Sequence, residues 1–219
     1  MKAMESYVVI GLDIFGLQCA TQLYEQGKNV LAIDKNEQKV NENANKVSRA
    51  IIADARNREV LKQLGVDKYD CAIVTAISDL GTAVLVTMNL KALGIKEIIC
   101  RANNATDKEV LETVGATNVI ILETLAADRL CRRLSQPNVL DYIEVSDKFG
   151  IIELEMPESW TNKSIVELNV RAKYGINIIA IKRDNEVNVA FTAGYVMKKD
   201  DIIVILGDNK SLEKVQAIN

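Results

Sequence analysis

The residues whose types and spacing could do chemistry lie near the start of the chain. Gly11-Leu12-Asp13-Ile14-Phe15-Gly16 directly follows the apolar run Val8-Val9-Ile10 and opens a helix-like stretch, and Asp34 closes the next apolar run. A glycine turn followed by an acid about twenty residues on is the layout of a dinucleotide-binding turn. The glycines let the chain turn tightly, the helix N-terminus faces phosphate, and the carboxylate accepts ribose hydroxyls. A carboxylate there also disfavours a 2′-phosphate, which reads against NADP. The middle glycine of the pattern is absent, and Asp13 stands in its place. Its Cβ and charge obstruct a pyrophosphate, since two like charges ~4 Å apart lose roughly 4 kcal/mol at an effective dielectric of 20. Asp13 should repel phosphate unless a cation, Arg56 or Arg101 neutralises it. Two readings stay open on these residues: a nucleotide site with an altered phosphate end, and a scaffold of the same shape that has lost its nucleotide.

The inventory for catalysis is thin. The chain has no histidine, which removes imidazole acid–base chemistry, Ser–His and Cys–His nucleophile pairs and imidazole metal sites. Tyr-x-x-x-Lys occurs at Tyr24/Lys28, the far end of the opening helix, and at Tyr195/Lys199, late in the chain. Cys19, Cys71, Cys100 and Cys131 are far apart with no CxxC, and read as small buried residues of a reducing compartment. Cys100, ending a strand, reads as a buried thiol. The expectation is a protein that binds a nucleotide and is not an enzyme, with an NAD-linked oxidoreductase as the alternative.

The elements that must position these residues follow from the apolar pattern. Val8–Ile10, Val30–Ile33, Ala50–Ala53, Cys71–Val74, Ile98–Cys100 and Val119–Leu122 are continuous apolar runs, as in strands buried on both faces. Helical spacing lies between them, and Gly27, Gly65, Gly94 and Gly115 stand where helices should stop. This βα alternation predicts a Rossmann-like, doubly wound parallel α/β sheet over residues 1–136. After Pro137 the pattern changes. Residues 137–147 read as a linker or crossover, and 148–219 as a small α+β domain. There, Ile152, Leu154 and Met156 alternate with Glu153 and Glu155, and Ser164-Ile165-Val166-Glu167 fits a capping box. Further strands are predicted at Ile178–Ile181, Val187–Phe191 and Ile202–Leu206, with a turn at Asp184-Asn185 and a last helix from Ser211.

At 219 residues, the chain accommodates one domain of about 140 residues and a smaller second one. A net charge of −3, from 27 basic and 30 acidic residues, lacks the basic surface of a nucleic-acid binder. No apolar run approaches the ~18–20 residues of a membrane span, and Met1–Ser6 does not read as a signal peptide. The expectation is a cytoplasmic protein.

Several motifs together resemble a known family. Val9-Ile10-Gly11 with Phe15-Gly16, Val30–Asp34, Ala53-Asp54-Ala55, Leu168–Gly175 with Ile178–Ile181, and Asp200–Gly207 stand in the order and spacing of the regulator-of-K⁺-conductance (RCK) proteins of bacterial Ktr and Trk potassium uptake systems. The resemblance covers nearly the full length. It implies an RCK N-terminal nucleotide-binding domain and an RCK C-terminal domain. It further implies a homodimer assembling to an octameric ring, peripheral on the inner face of the membrane. That ring would dock on a separate membrane K⁺-translocating subunit and gate it through an adenine nucleotide (ATP/ADP, AMP or NAD(H)). Carried over by position, nucleotide contacts fall on Gly11, Asp13, Ile14, Phe15, Gly16, Asp34, Lys35, Asp54, Ala55, Ala76, Ile77 and Arg101. Glu123 corresponds to an acid near the phosphates that binds a divalent cation in the family, and Asp13 with Glu123 could hold a cation bridging to phosphate. Arg171 and Tyr174 match the region that binds cyclic di-AMP, although the proline expected near Phe191 is missing. Two departures stand out: Asp13 replaces the middle glycine, and Ile14 replaces an arginine that would meet the terminal phosphate of ATP.

Overall fold

The computed structural model describes residues 5–75, 79–135, 138–146, 148–184 and 186–218. The chain forms two compact units, Met1–Ala126 and Ala127–Asn219. In the first, β1 (Ser6–Ile10), β2 (Asn29–Asp34), β3 (Arg49–Ile52), β4 (Cys71–Val74), β5 (Glu97–Arg101) and β6 (Asn118–Ile120) make one sheet in the order β3-β2-β1-β4-β5-β6. Every pairing in it is parallel. The crossovers carry α1 (Ile14–Glu25), α2 (Glu37–Asn43), α3 (Arg58–Gln63), α4 (Leu80–Ala92) and α5 (Ala105–Val114), and α6 (Leu122–Ser135) follows β6. The strand order reverses between β1 and β4, so their carboxyl ends open the crevice where doubly wound sheets take ligands.

The expected parallel sheet is therefore present, and the packing explains why it was readable. Val8, Ile10, Leu31 and Ile33 pack on one face with Leu61 and Leu90, while Val9, Val30 and Ala32 pack on the other with Leu12, Ala20 and Val40. Burial on both faces requires apolar side chains at successive positions. The five crossover helices are capped by Asp13, Asn36, Asn57, Asp79 and Asn104, each accepting a backbone N–H in the first turn. The last run is shorter than expected, because Leu122 already begins α6.

The second unit contains β7 (Val139–Ser146), β8 (Phe149–Glu155), α7 (Ile165–Leu168), α8 (Val170–Tyr174), β9 (Asn177–Arg183), β10 (Glu186–Asn188), β11 (Ile202–Asp208) and α9 (Asn209–Gln216). Its antiparallel sheet has the order β10-β9-β11-β8-β7 over a core that includes Ile152, Leu154, Trp160, Ile181, Ile203 and Leu212. The capping box at Ser164 and Glu167 is formed. The segment read as a linker contains β7, which pairs antiparallel with β8. Only Val139 of β7 is buried, so the strand lacks the alternation that would have announced it. The strand predicted over Val187–Phe191 ends at Asn188. Asp184 adopts φ 49 at the end of β9, and Asn185 lies outside the described residues. Cys71 and Cys100 are buried, but Cys19 is only half-buried and Cys131 is exposed, against the reading of all four as buried.

Candidate functional site

The site grows from the turn after β1. Gly11 adopts φ 99, a left-handed conformation that glycine tolerates and other residues resist. The turn is held from three sides: Gly11 N–H donates to Ile33 O at 2.8 Å, Leu12 N–H donates to Asp34 Oδ2 at 2.7 Å, and the buried Thr75 hydroxyl donates to Gly11 O at 2.8 Å. Gly16 is required for a different reason. A Cβ there would meet Gly11 O at 2.0 Å and Thr75 Oγ1 at 2.5 Å, so the missing side chain lets α1 lie against the strand ends.

Asp34 works at two places. Its Oδ2 holds the glycine turn and its Oδ1 accepts Asn36 N–H at 2.9 Å. Each carboxylate oxygen has a second lone-pair site, so ribose hydroxyls remain within its capacity. Beside it, Gly11, Asp34, Lys35, Asp54 and Ala55 line one small pocket of about 70 Å³, together with Ile10, Arg56 and Thr82 among others. A second, larger depression of about 670 Å³ shares Asp54 and Arg56 and is otherwise walled by Asn57, Arg58, Glu59, Leu85 and Asn89. The small pocket is the chemically informative one, because it joins the glycine turn to the acid at the end of β2.

Arg56 folds back on Asp54, its Nε at 3.0 Å from Oδ1 and its Nη2 at 2.6 Å from Oδ2. The guanidinium hydrogen bonds hold the Asp54 carboxyl below its ordinary range. Asn89 donates to Arg56 O at 2.8 Å and fixes this loop from α4. Asp79 caps α4 and accepts the Thr82 hydroxyl, which keeps its carboxyl low.

At the phosphate end, Asp13 is the N-cap of α1: its Oδ1 accepts Gly16 N–H at 2.8 Å. Its Oδ2 accepts Arg101 Nη1 at 3.0 Å, and Arg101 Nη2 donates to Glu123 Oε1 at 2.8 Å. Arg101, and not Arg56, therefore neutralises Asp13. The place between Asp13 and Glu123 that a bridging cation would need holds the guanidinium instead. Among the described residues no group of three or more potential metal ligands converges. Glu123 is held low first by its own backbone amide and then by the Arg101 guanidinium. The Arg101 Nε–H is buried without a partner among the described residues.

The sequence-derived set thus falls into two groups, Gly11, Asp34, Lys35, Asp54 and Ala55 at the pocket and Asp13, Gly16, Arg101 and Glu123 at the α1 N-terminus. Ile14 projects outward, 92% exposed, and Phe15 is half-buried. Ala76 and Ile77 lie outside the described residues. In the second unit, Arg171 and Tyr174 both stand on α8, and the Tyr174 ring packs on Trp160 at 5.5 Å between centroids. Tyr195 bonds with Arg183 and the buried Asp201, a structural role. Thr75, Thr82 and Asn89 escaped the sequence reading; lone polar residues beside apolar runs give no signal of the backbone groups they serve.

With this geometry the comparisons with known proteins are decisive. Residues 7–122 match the TrkA-N domain family and residues 151–219 the TrkA-C domain family. The chain is 35% identical over 97% of its length to the Ktr system potassium uptake proteins C and A of Bacillus subtilis (strain 168), covering 96% of each. The chain belongs to the Ktr/Trk family of RCK proteins. It is 28% identical to the Ktr system potassium uptake protein A of Vibrio alginolyticus over 95% of this chain and 94% of that one. The RCK fold is matched in the crystal structure of the GsuK RCK domain, with a TM-score of 0.68 at 17% identity, over 99% of this chain and 48% of that one. In this RCK protein no described helix is long and apolar enough to cross a membrane.

Proposed function

We propose that this protein is the nucleotide-sensing regulatory subunit of a Ktr-type potassium uptake system. It would act from the cytoplasmic face of the membrane on a separate K⁺-translocating subunit, without catalysis and without nucleic acid. The observation that carries this reading is the match along both halves to two Ktr system potassium uptake proteins. The pocket between Gly11 and Asp34 supports it, because a tight glycine turn and a carboxylate at the end of β2 stand side by side in its wall, the pair of features a nucleoside needs.

An adenine nucleotide (ATP/ADP, AMP or NAD(H)) places adenosine against Asp34 and Asp54. Two nucleotides shift the assembly only by their differential affinity for its alternative shapes. The assembly is a homodimer that builds an octameric ring. Leu130 and Leu134, one helical turn apart on α6, support a partner surface because both are exposed, at 57% and 72%. Leu125 on the same helix is exposed as well. These leucines therefore do not belong to the core of this chain.

The test is potassium uptake in cells lacking their own systems, supplied with a Ktr-type membrane subunit with and without this chain. Uptake should rise or fall several-fold when the chain is present, and the Asp34→Asn variant should lose the response to nucleotide. Uptake indifferent to the chain contradicts the reading.

A further inference from the structure

A dinucleotide turn holds phosphate with three things: free N–H groups in the first turn of the helix, clearance at the second glycine, and a cation nearby. In this chain each of these is taken at least in part. The Gly16 N–H is given to Asp13 Oδ1, the Asp13 side chain stands in the clearance, and Arg101 is shared between Asp13 Oδ2 and Glu123 Oε1. The first turn of α1 offers no replacement cation, since Ile14, Phe15 and Gly16 are uncharged. One guanidinium against two carboxylates leaves this cluster with a net charge of −1. The nucleoside end, by contrast, keeps a small pocket lined by Gly11, Asp34 and Asp54.

We propose that the Asp13 carboxylate is an internal stand-in for phosphate, which makes Asp13 the specificity-determining residue of this pocket. The ligand class it selects is the adenine nucleoside, with AMP tolerated and each further phosphate at the turn weakening binding. This rests on the reading above that the pocket takes adenosine. Asp13 takes the Gly16 N–H and one Arg101 N–H without a ligand, so a phosphate that needs these groups must both displace it and meet the remaining negative charge.

Calorimetric titration of the full chain with adenosine, AMP, ADP and ATP tests the assignment, on the parent and on Asp13→Asn and Asp13→Gly. Asparagine keeps a good helix cap while removing the charge, so a folding defect is not expected there. In the parent, adenosine should bind at least as tightly as ATP. In Asp13→Asn the affinity for ATP relative to adenosine should rise roughly tenfold or more, as expected when a like charge near ~4 Å is removed. Glycine should push the ratio the same way. A parent that binds ATP roughly tenfold more tightly than adenosine overturns the proposal; so does an unchanged ratio in both variants. Either result leaves the nucleotide pocket standing. Absence of binding by every ligand to every form overturns the nucleoside reading and this assignment together.

Discussion

Arg101 Nη1 lies 3.0 Å from Asp13 Oδ2, tying the end of β5 to the first residue of the turn that opens α1. The two side chains are 20% and 33% exposed, between a surface pair and a buried one. Truncation of Arg101 would leave Asp13 and Glu123 without their common cation. Surface pairs contribute about 0–1 kcal/mol and breaking buried ones costs about 3–5 kcal/mol, so Arg101→Ala should destabilise the chain by roughly 1–3 kcal/mol. Urea unfolding monitored by circular dichroism measures it. A midpoint equal to the parent's would show that the bridge is idle.

Gly16 and Gly27 separate two causes of glycine use. A Cβ on Gly16 strikes the Gly11 carbonyl oxygen at 2.0 Å, whereas at Gly27 nothing lies within 4 Å and only the φ of 78 opposes a side chain. Gly27→Ala should cost about 1–2 kcal/mol, the ordinary left-handed penalty. Gly16→Ala should cost more, roughly 2–3 kcal/mol, because a backbone atom must move. Thermal unfolding of both variants ranks them, and the reverse order contradicts the packing described here.

Thiol labelling should separate the cysteines. Cys131 is exposed, Cys71 and Cys100 are buried, and burial pushes the Cys71 thiol up to about 12. Burial also raises Cys100, partly countered by the Thr87 hydroxyl 3.2 Å away. With a chromogenic disulfide reagent Cys131 should react first, and Cys71 and Cys100 only after unfolding. Rapid native labelling of Cys100 would contradict its burial.

Acid should weaken the fold through its capping and paired carboxylates. The Asp54, Asp79, Glu123, Glu167 and Asp208 carboxyls are all held below their ordinary values of 3.8 for Asp and 4.5 for Glu. Depressed acids contribute stability that is complete above the unfolded-state value and disappears as pH falls through the folded one. Melting temperature should therefore hold level from about pH 7 to 5 and drop progressively below about 4.5. A melting temperature that rises on acidification contradicts the assigned bonds.

The features legible in the sequence are those made by neighbours in the chain. Val8-Val9-Ile10 and its equivalents announced the parallel sheet because two-sided burial leaves no polar gap, and Gly11 with Asp34 marked the turn. The partner of Asp13 was nameable only as one of two arginines, since Arg101 stands 88 residues away and the sheet order decides which comes near. Asp13 also caps α1, a role that an aspartate inside a glycine pattern does not announce. β7 was missed because most of its side chains face outward. Thr75 and Asn89 act on backbone carbonyls, which leave no mark in a sequence.

Calorimetry with adenosine on the parent and Asp34→Asn decides whether the Gly11–Asp34 pocket accepts an adenine nucleoside. One site per chain is expected in the parent and affinity lowered roughly tenfold or more in the variant, with its circular dichroism unchanged. Equal affinity in the two proteins, or no heat from adenosine, AMP, ADP, ATP or NADH in the parent, would contradict it.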